Sequence, residues 1–287
     1  MNRLHLIGTG TPTPTAQRFG TCYVLQLDEQ YVMIDCGPAS TYKLVKAGLF
    51  PTQIDTLLFT HHHSDHDIDY PCFLACRWDQ STGRENKLEV FGPAPTALIT
   101  ERLIGLDGAF VFDWKARVGA PVSQSVHANR GGSLPRPEPD VSVTDIENGT
   151  VIERDNWKAT ARQVHHVQPF LTSLAYRFDT PRGSIAFAGD TGSVDTVAAL
   201  AGGCDVLVVN CWDLQETMAA NGEAPGQTGT LDAARMGSGA GAKTLVLTHT
   251  GPELCKEENR KKALAEIAAA FDGRIVFAEE LTTLDLF

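Results

Sequence analysis

Thr60-His61-His62-His63-Ser64-Asp65-His66 is the stretch from which the rest of this chain can be read. It begins where the short apolar run 56–59, bounded by polar residues as a buried strand is, comes to an end. On an extended or turning backbone, residues i and i+2 project to one side. His61 and His63 can therefore clamp one cation while Asp65 and His66 face an adjacent one. His62, between the first two, reads as a bystander. Imidazole nitrogens and carboxylate oxygens suit zinc, with manganese or iron as alternatives. The wider distribution points the same way: of nine histidines, seven sit in three places, the cluster 61–66, the pair His165 and His166, and His249.

Working outward, residues 3–7 read as a strand entering the turn Gly8-Thr9-Gly10. That turn lacks the third glycine of a dinucleotide fingerprint and the Gly-Lys-Ser/Thr of a phosphate loop. Strands are predicted at 22–27, 31–34 and 88–91, with helices at 40–49, 67–78 and 96–104. Residues 118–140 hold three Gly and four Pro with little periodicity. They read as a long surface loop, a lid or binding loop, in which His127, Arg130 and Arg136 are candidates for reaching an anionic group or donating a proton. Strands follow at 141–143, 159–164, 173–178 and 184–187, then a helix at 194–201. Strands 206–209, 244–247 and 275–277 alternate with helices 231–239 and 257–271. The pattern is two successive halves, each with strands first and helix-separated strands later, and no linker divides them. It predicts one α/β domain over residues 1–287, with two sheets inside and helices outside.

With 24 Lys+Arg against 35 Asp+Glu the formal net charge is −11, which disfavours a partner held by attraction to phosphate, such as tRNA, duplex DNA or an anionic membrane. No run approaches the roughly 18–20 apolar residues of a membrane span, and residues 1–14 lack the order of a signal peptide. Seven scattered cysteines without a Cys-x-x-Cys pair suggest neither a disulfide framework nor a thiolate metal site. A soluble, cytoplasmic protein is expected. Neither a Gly-x-Ser-x-Gly elbow nor a His-Glu-x-x-His helix competes with the histidine cluster.

The His-x-His-x-Asp-His string after an apolar strand resembles the signature of the metallo-β-lactamase superfamily. The chain as a whole resembles the ribonuclease Z and arylsulfatase-like branch of that superfamily. Leu6-Ile7-Gly8-Thr9-Gly10 is similar to the opening strand and turn of the branch, and Ile34-Asp35-Cys36-Gly37 to a motif whose Asp supports the metal loop. Ala188-Gly189-Asp190-Thr191 is similar to the motif supplying a bridging carboxylate, and Leu247-Thr248-His249 to the one supplying the last histidine. The resemblance implies an αββα sandwich and two metal ions, zinc above all. It favours His166 over His165, because relatives read Val-x-His there before a Tyr-Arg pair, here Tyr176-Arg177. It then assigns one ion to His61, His63 and His166, and the other to Asp65, His66 and His249, with Asp190 between them. Two such ions lower the pKa of a shared water and polarise the electrophile. Asp65 and His66 are the implied catalytic residues, Asp65 orienting the hydroxide, and Asp35 holds a ligand from behind.

Two departures shape the functional expectation. Ribonuclease Z carries a histidine thought to protonate the leaving ribose oxygen, and the corresponding stretch here is Gly226-Gln227-Thr228-Gly229. A tRNA-clamping insertion is not recognisable either. Where many relatives place a His-Glu or similar pair stands Asn210-Cys211-Trp212-Asp213, so that Asn210 could hydrogen-bond and Trp212 stack on a substrate, unless Trp212 is a core residue. Together with the charge, these features predict a metal-dependent hydrolase of a small aromatic or anionic molecule with a good leaving group, such as an aryl sulfate or phosphate ester, or a halogenated aromatic ring. They predict no nucleic-acid partner and no membrane, and resemblance to the branch predicts a homodimer. The alternative is a divergent tRNA 3′-processing endonuclease.

Overall fold

The computed structural model describes residues 2–83 and 87–287. Two seven-stranded sheets lie face to face. In the first, β1 (Arg3–Thr9), β2 (Thr21–Leu27) and β3 (Gln30–Ile34) form an antiparallel meander, and β4 (Thr56–Leu58), β5 (Leu88–Gly92) and β6 (Val141–Asp145) extend it in parallel. In the second, β7 (Val151–Glu153), β8 (Lys158–Val164), β9 (Ser173–Thr180) and β10 (Gly183–Phe187) are antiparallel, and β11 (Val206–Asn210), β12 (Thr244–Thr248) and β13 (Arg274–Phe277) continue in parallel. The last strand, β14 (Thr282–Asp285), returns to pair with β1. The strands-first, helix-alternating order of each half thus has a plain geometric meaning: antiparallel neighbours close through hairpins, whereas parallel neighbours need a crossover long enough to hold a helix.

Side-chain alternation along the strands separates three cores. Leu4, Leu6, Tyr23, Leu25, Val32 and Ile34 meet Leu174, Tyr176, Phe178, Ile185, Phe187 and Val208 between the sheets. The opposite face of the first sheet, with Ile7, Val24, Met33, Leu57 and Val90, is covered by α1 (Ser40–Lys46), α3 (Tyr70–Gln80) and α4 (Thr96–Ile104). Between α1 and α3 the short helix α2 (Ser64–Asp67) carries part of the histidine string. The outer face of the second sheet is covered by α7 (Val194–Leu200), α9 (Thr230–Ala240) and α10 (Glu257–Ala268). The result is the αββα sandwich expected from the sequence.

The expected unbroken loop at 118–140 is corrected in part. One helix, α6 (Pro121–Asn129), fills most of its first half, the preceding helix α5 (Val111–Gly119) ends at its start, and neither these two nor α8 (Gln215–Asn221) is among the helices expected from the sequence. Pro121 misled the reading, because it stands in the first turn of α6, where its missing N–H costs nothing. The second half of the segment is irregular and is tied down by charge. Arg117, Arg130 and Arg136 converge on Asp79 at 3.1, 3.1 and 2.9 Å, and the Arg136 guanidinium lies 4.1 Å above the Trp78 ring. Among the described residues, no helix is long and apolar enough to cross a membrane.

Candidate metal centre

The histidine string leaves the C-terminal end of β4, and the other candidate residues leave the ends of β3, β8, β10, β11 and β12. In sheets with parallel strands this rim is where polar groups can converge without interrupting the core. Three trios of ligand atoms gather there, each within 4.8 Å: His61, His63 and His166; His61, His66 and Asp190; and Asp65, His66 and His249. The His63 Nδ1 lies 3.1 Å from His61 Nε2 and 3.2 Å from His166 Nε2. The His249 Nε2 is 3.1 Å from both Asp65 Oδ2 and Asp190 Oδ2, and His66 Nε2 is 3.5 and 3.6 Å from the same two oxygens. Asp190 therefore stands between the trio of His61, His63 and His166 and the trio of Asp65, His66 and His249.

The ring orientations are set from behind. Asp35 accepts from Thr60 N–H at 2.7 Å and from the Thr60 hydroxyl at 2.8 Å, and its Oδ2 lies 2.8 Å from His66 Nδ1. The Thr60 hydroxyl in turn meets His61 Nδ1 at 3.0 Å. His166 Nδ1 donates to the Gly226 carbonyl at 2.6 Å. Each of these bonds leaves the opposite nitrogen of its ring facing the centre, the arrangement that supports a metal-bound imidazole. Thr60 and Gly226 were not singled out from sequence. Thr60 adjoins the histidine string, but a backbone carbonyl leaves no sequence signal.

Backbone strain marks the same place. Asp35 and His249 have φ of +60° and +48°, a left-handed conformation that a side chain adopts at a cost of order 1 kcal/mol. Gly37 lies so close to the Asp65 carbonyl that an added Cβ would overlap it, and the Cys36 N–H donates to the His66 carbonyl at 2.6 Å. The segment around Asp35 is thereby stitched to the histidine string.

Electrostatics favour a cation. Burial and the neighbouring imidazoles hold His61 well below the ordinary histidine range, and burial with His166 lowers His63, so both rings offer lone pairs. Burial opposes ionisation of Asp190, but the charges of His249 and His66 outweigh it and hold the carboxyl well below its usual range. Asp65 is lowered despite burial, chiefly by its hydrogen bond from His249. Burial also disfavours charge on His66 and His249, yet Asp35 and Asp190 raise the first well above the usual range and Asp190 and Asp65 raise the second. Buried carboxylates thus demand positive charge at this spot, supplied by a cation or by protons on these two rings. His66 Nε2, fully buried, has no hydrogen-bond partner among the described residues. Convergent lone pairs, a central carboxylate and an orphaned ring nitrogen together fit divalent metal.

Of the remaining candidates, Asn210 is buried beside Asp190 and His249, and its Nδ2 donates to Gln227 Oε1 at 2.8 Å. The Trp212 ring is 5.9 Å from that of His249 and is partly exposed, so it belongs to the site and not to the core. His165 is exposed; its N–H donates to the Ser193 hydroxyl, and its carbonyl accepts from the Thr191 hydroxyl. His62 turns to Asp67 and Thr96. His127 stands apart from the centre: it lines a cavity of about 590 Å³ with Trp78 and Arg136, under Gly132. Placement on α6 at the sheet edge, which the sequence reading missed, is what removes it from the metal-binding rim.

The family described as Beta-lactamase superfamily domain matches residues 30–250. The curated ribonuclease Z of Mycolicibacterium gilvum (strain PYR-GCK) is 30% identical over 294 residues, covering 98% of this chain and 95% of that one. The metallo-beta-lactamase fold protein YhfI from Bacillus subtilis superposes with a TM-score of 0.76 at 18% identity over 99% of this chain and 98% of that one. The short form of human tRNase Z does so with 0.68 at 17% identity over 99% of each chain.

Proposed function

This chain belongs to the beta-lactamase superfamily, in its ribonuclease Z branch, and from that premise we propose that it is a metal-dependent endonuclease hydrolysing a phosphodiester bond of RNA, in the manner of tRNA 3′-end processing. The observation that carries this reading is the constellation of six residues around Asp190, on a chain matched nearly end to end by a curated ribonuclease Z.

The expectation of a small aromatic or anionic substrate, with aryl ester hydrolysis or dehalogenation as the reaction and no nucleic-acid partner, is corrected. The curated relatives are named ribonuclease Z, and a tRNase Z shares the fold. Each argument that favoured a small substrate has a physical weakness. Net charge is an average over the whole surface and does not set the field at the mouth of one cleft. The missing insertion weighs little, since 95% of the Mycolicibacterium protein is matched without it. Two divalent ions, when bound, would supply a nucleophile at neutral pH and steady both the attacking and the leaving oxygen, which lessens the need for a protein acid at position 227.

His61, His63 and His166 would hold one ion and Asp65, His66 and His249 the other, with Asp190 between them. The imidazole-rich set favours zinc, manganese and iron being further options. Asp35 would keep His66 turned toward the centre. Asn210 holds the Gln227 carbonyl oxygen, which directs the Gln227 NH₂ away from Asn210, where it can donate a hydrogen bond to a phosphate or leaving oxygen without giving up a proton. The seven free thiols fit a reducing cytoplasm. A homodimer, common in the branch, belongs to this reading as well.

The test is incubation of the zinc-loaded chain with a 3′-extended pre-tRNA. Clean cleavage beyond the acceptor stem is the expected result. Intact RNA, under conditions in which the same preparation hydrolyses bis(p-nitrophenyl) phosphate, would overturn the assignment to RNA.

A further inference from the structure

The loop after β8 leads from the ligand His166 to Phe170, the most exposed large apolar side chain among the described residues at 93%. Both ends of this loop are anchored in the metal centre. At one end is His166 itself; at the other, the Leu174 N–H donates to the carbonyl of Thr60, the residue before His61. Between them Gln168 braces the loop internally, its Oε1 accepting from His166 N–H at 2.7 Å and its Nε2 donating to the Val164 carbonyl at 2.8 Å. Phe170 N–H closes a turn onto the Val167 carbonyl. The ring is thus held in solvent by an ordered support, four residues from a metal ligand. A second aromatic ring, Trp212, stands next to His249, which belongs to the other ligand trio. Its backbone is pinned as well, N–H to the Thr228 carbonyl and carbonyl to the Gly251 N–H.

Resting on the RNA reading above, we propose that Phe170 and Trp212 are stacking platforms for the two unpaired bases that flank the scissile phosphate, one beside each ligand trio. A phosphodiester held at the centre carries a nucleoside on each side, and an unstacked base presents a face that can stack on the free ring of Phe170 or on the exposed part of Trp212. Stacking needs no particular base, so the platforms select single-stranded RNA at the cut site and not a sequence. A base kept inside a helix cannot reach either ring.

The experiment uses the zinc-loaded full chain and a 3′-extended RNA, intact or carrying one abasic nucleotide on either side of the cleaved bond. Phe170→Ala and Trp212→Ala are each expected to raise KM for the intact RNA about tenfold, the size of one lost base–aromatic stack. Phe170→Trp should restore it, while Phe170→Leu should not. Each alanine variant should be insensitive to removal of the one base its ring contacts and fully sensitive to removal of the other. A KM within twofold of the parent for Phe170→Ala, or effects of ring and base removal that multiply at both positions, would overturn the platform while leaving RNA cleavage standing. Failure of the parent chain to cut any of these RNAs would overturn the RNA reading and the platform with it. Phe170 makes so little contact with the fold that its substitution is not expected to unfold the chain, and an unchanged thermal midpoint would verify this.

Discussion

Asp35 Oδ2 and His66 Nδ1 lie 2.8 Å apart, both side chains about 1% exposed, while the other nitrogen of the same ring faces Asp65 and Asp190. One contact thereby decides which nitrogen a cation meets. The same carboxylate satisfies Thr60 through its N–H and its hydroxyl, so the strained turn at Asp35 serves both Thr60 and His66, the two ends of the histidine string.

Asp35→Asn should weaken metal binding by roughly 10- to 100-fold, since the amide presents His66 with a weaker partner. Competition against a chromophoric chelator measures this, and parent-like affinity would remove Asp35 from the support of the site. Asp35→Ala goes further by orphaning a buried donor at Thr60. It should also cost about 1–3 kcal/mol in urea unfolding.

Adjacent histidines at the end of β8 separate cleanly. His166→Ala removes a ring that meets His63 and is expected to reduce bound metal, read by elemental analysis of the purified protein. His165→Ala alters an exposed side chain and should leave the metal content unchanged. If His165→Ala were the variant to lose metal, the ligand set proposed above would be wrong.

Removing metal should lower the thermal midpoint. Ligands that bind only the folded chain add about 2.7 kcal/mol at a concentration a hundredfold above Kd, worth several degrees in a chain of this size. Scanning fluorimetry with and without a chelator tests this, and re-addition of zinc should restore the midpoint. No difference between the two states would argue against a metal centre that stabilises the fold.

Far from the site, Asp79 gathers three guanidinium groups. Burial alone would push its carboxyl up, but the hydrogen bond from Arg136, the charge of Arg117 and the hydrogen bond from Arg130 hold it below the ordinary value. A lowered folded-state pKa means that the stabilisation is present above the unfolded-state value near 3.8 and is lost as pH falls through the folded-state pKa. Asp79→Asn is therefore expected to cost about 1–2 kcal/mol at neutral pH. Its urea midpoint should converge on that of the parent as the pH drops below that range, and a constant gap down to pH 2 would contradict the ion-pair account.

Much of the fold was legible because its signals are local. The apolar runs 206–209 and 244–247 correspond to the buried strands β11 and β12, and residues 96–104 match α4 end to end. Where the reading missed, the information was not local. The brief edge strand β14 exists because β1 offers it an edge, and α6, whose own periodicity is weak, packs on α5 and beside the Asp79 knot. The functional expectation erred for a related reason. Gln227 was read as an absence, whereas the fold gives it a partner in Asn210.

By itself the sequence determined the chemistry on offer: imidazoles and carboxylates spaced so that a turn after a strand can present them together, and the order of strands that predicts two sheets. Only the tertiary structure decided which distant residues complete the centre. His63 meets His166 across 103 positions and Asp65 meets His249 across 184. Those distances close because the two sheets bury their shared apolar faces and so bring the ends of β4, β8, β10 and β12 to one rim, a cooperative result of packing that no local stretch encodes. The same packing left Phe170 in water next to that rim and drew His127 away from it, two placements set by neighbours and not by spacing.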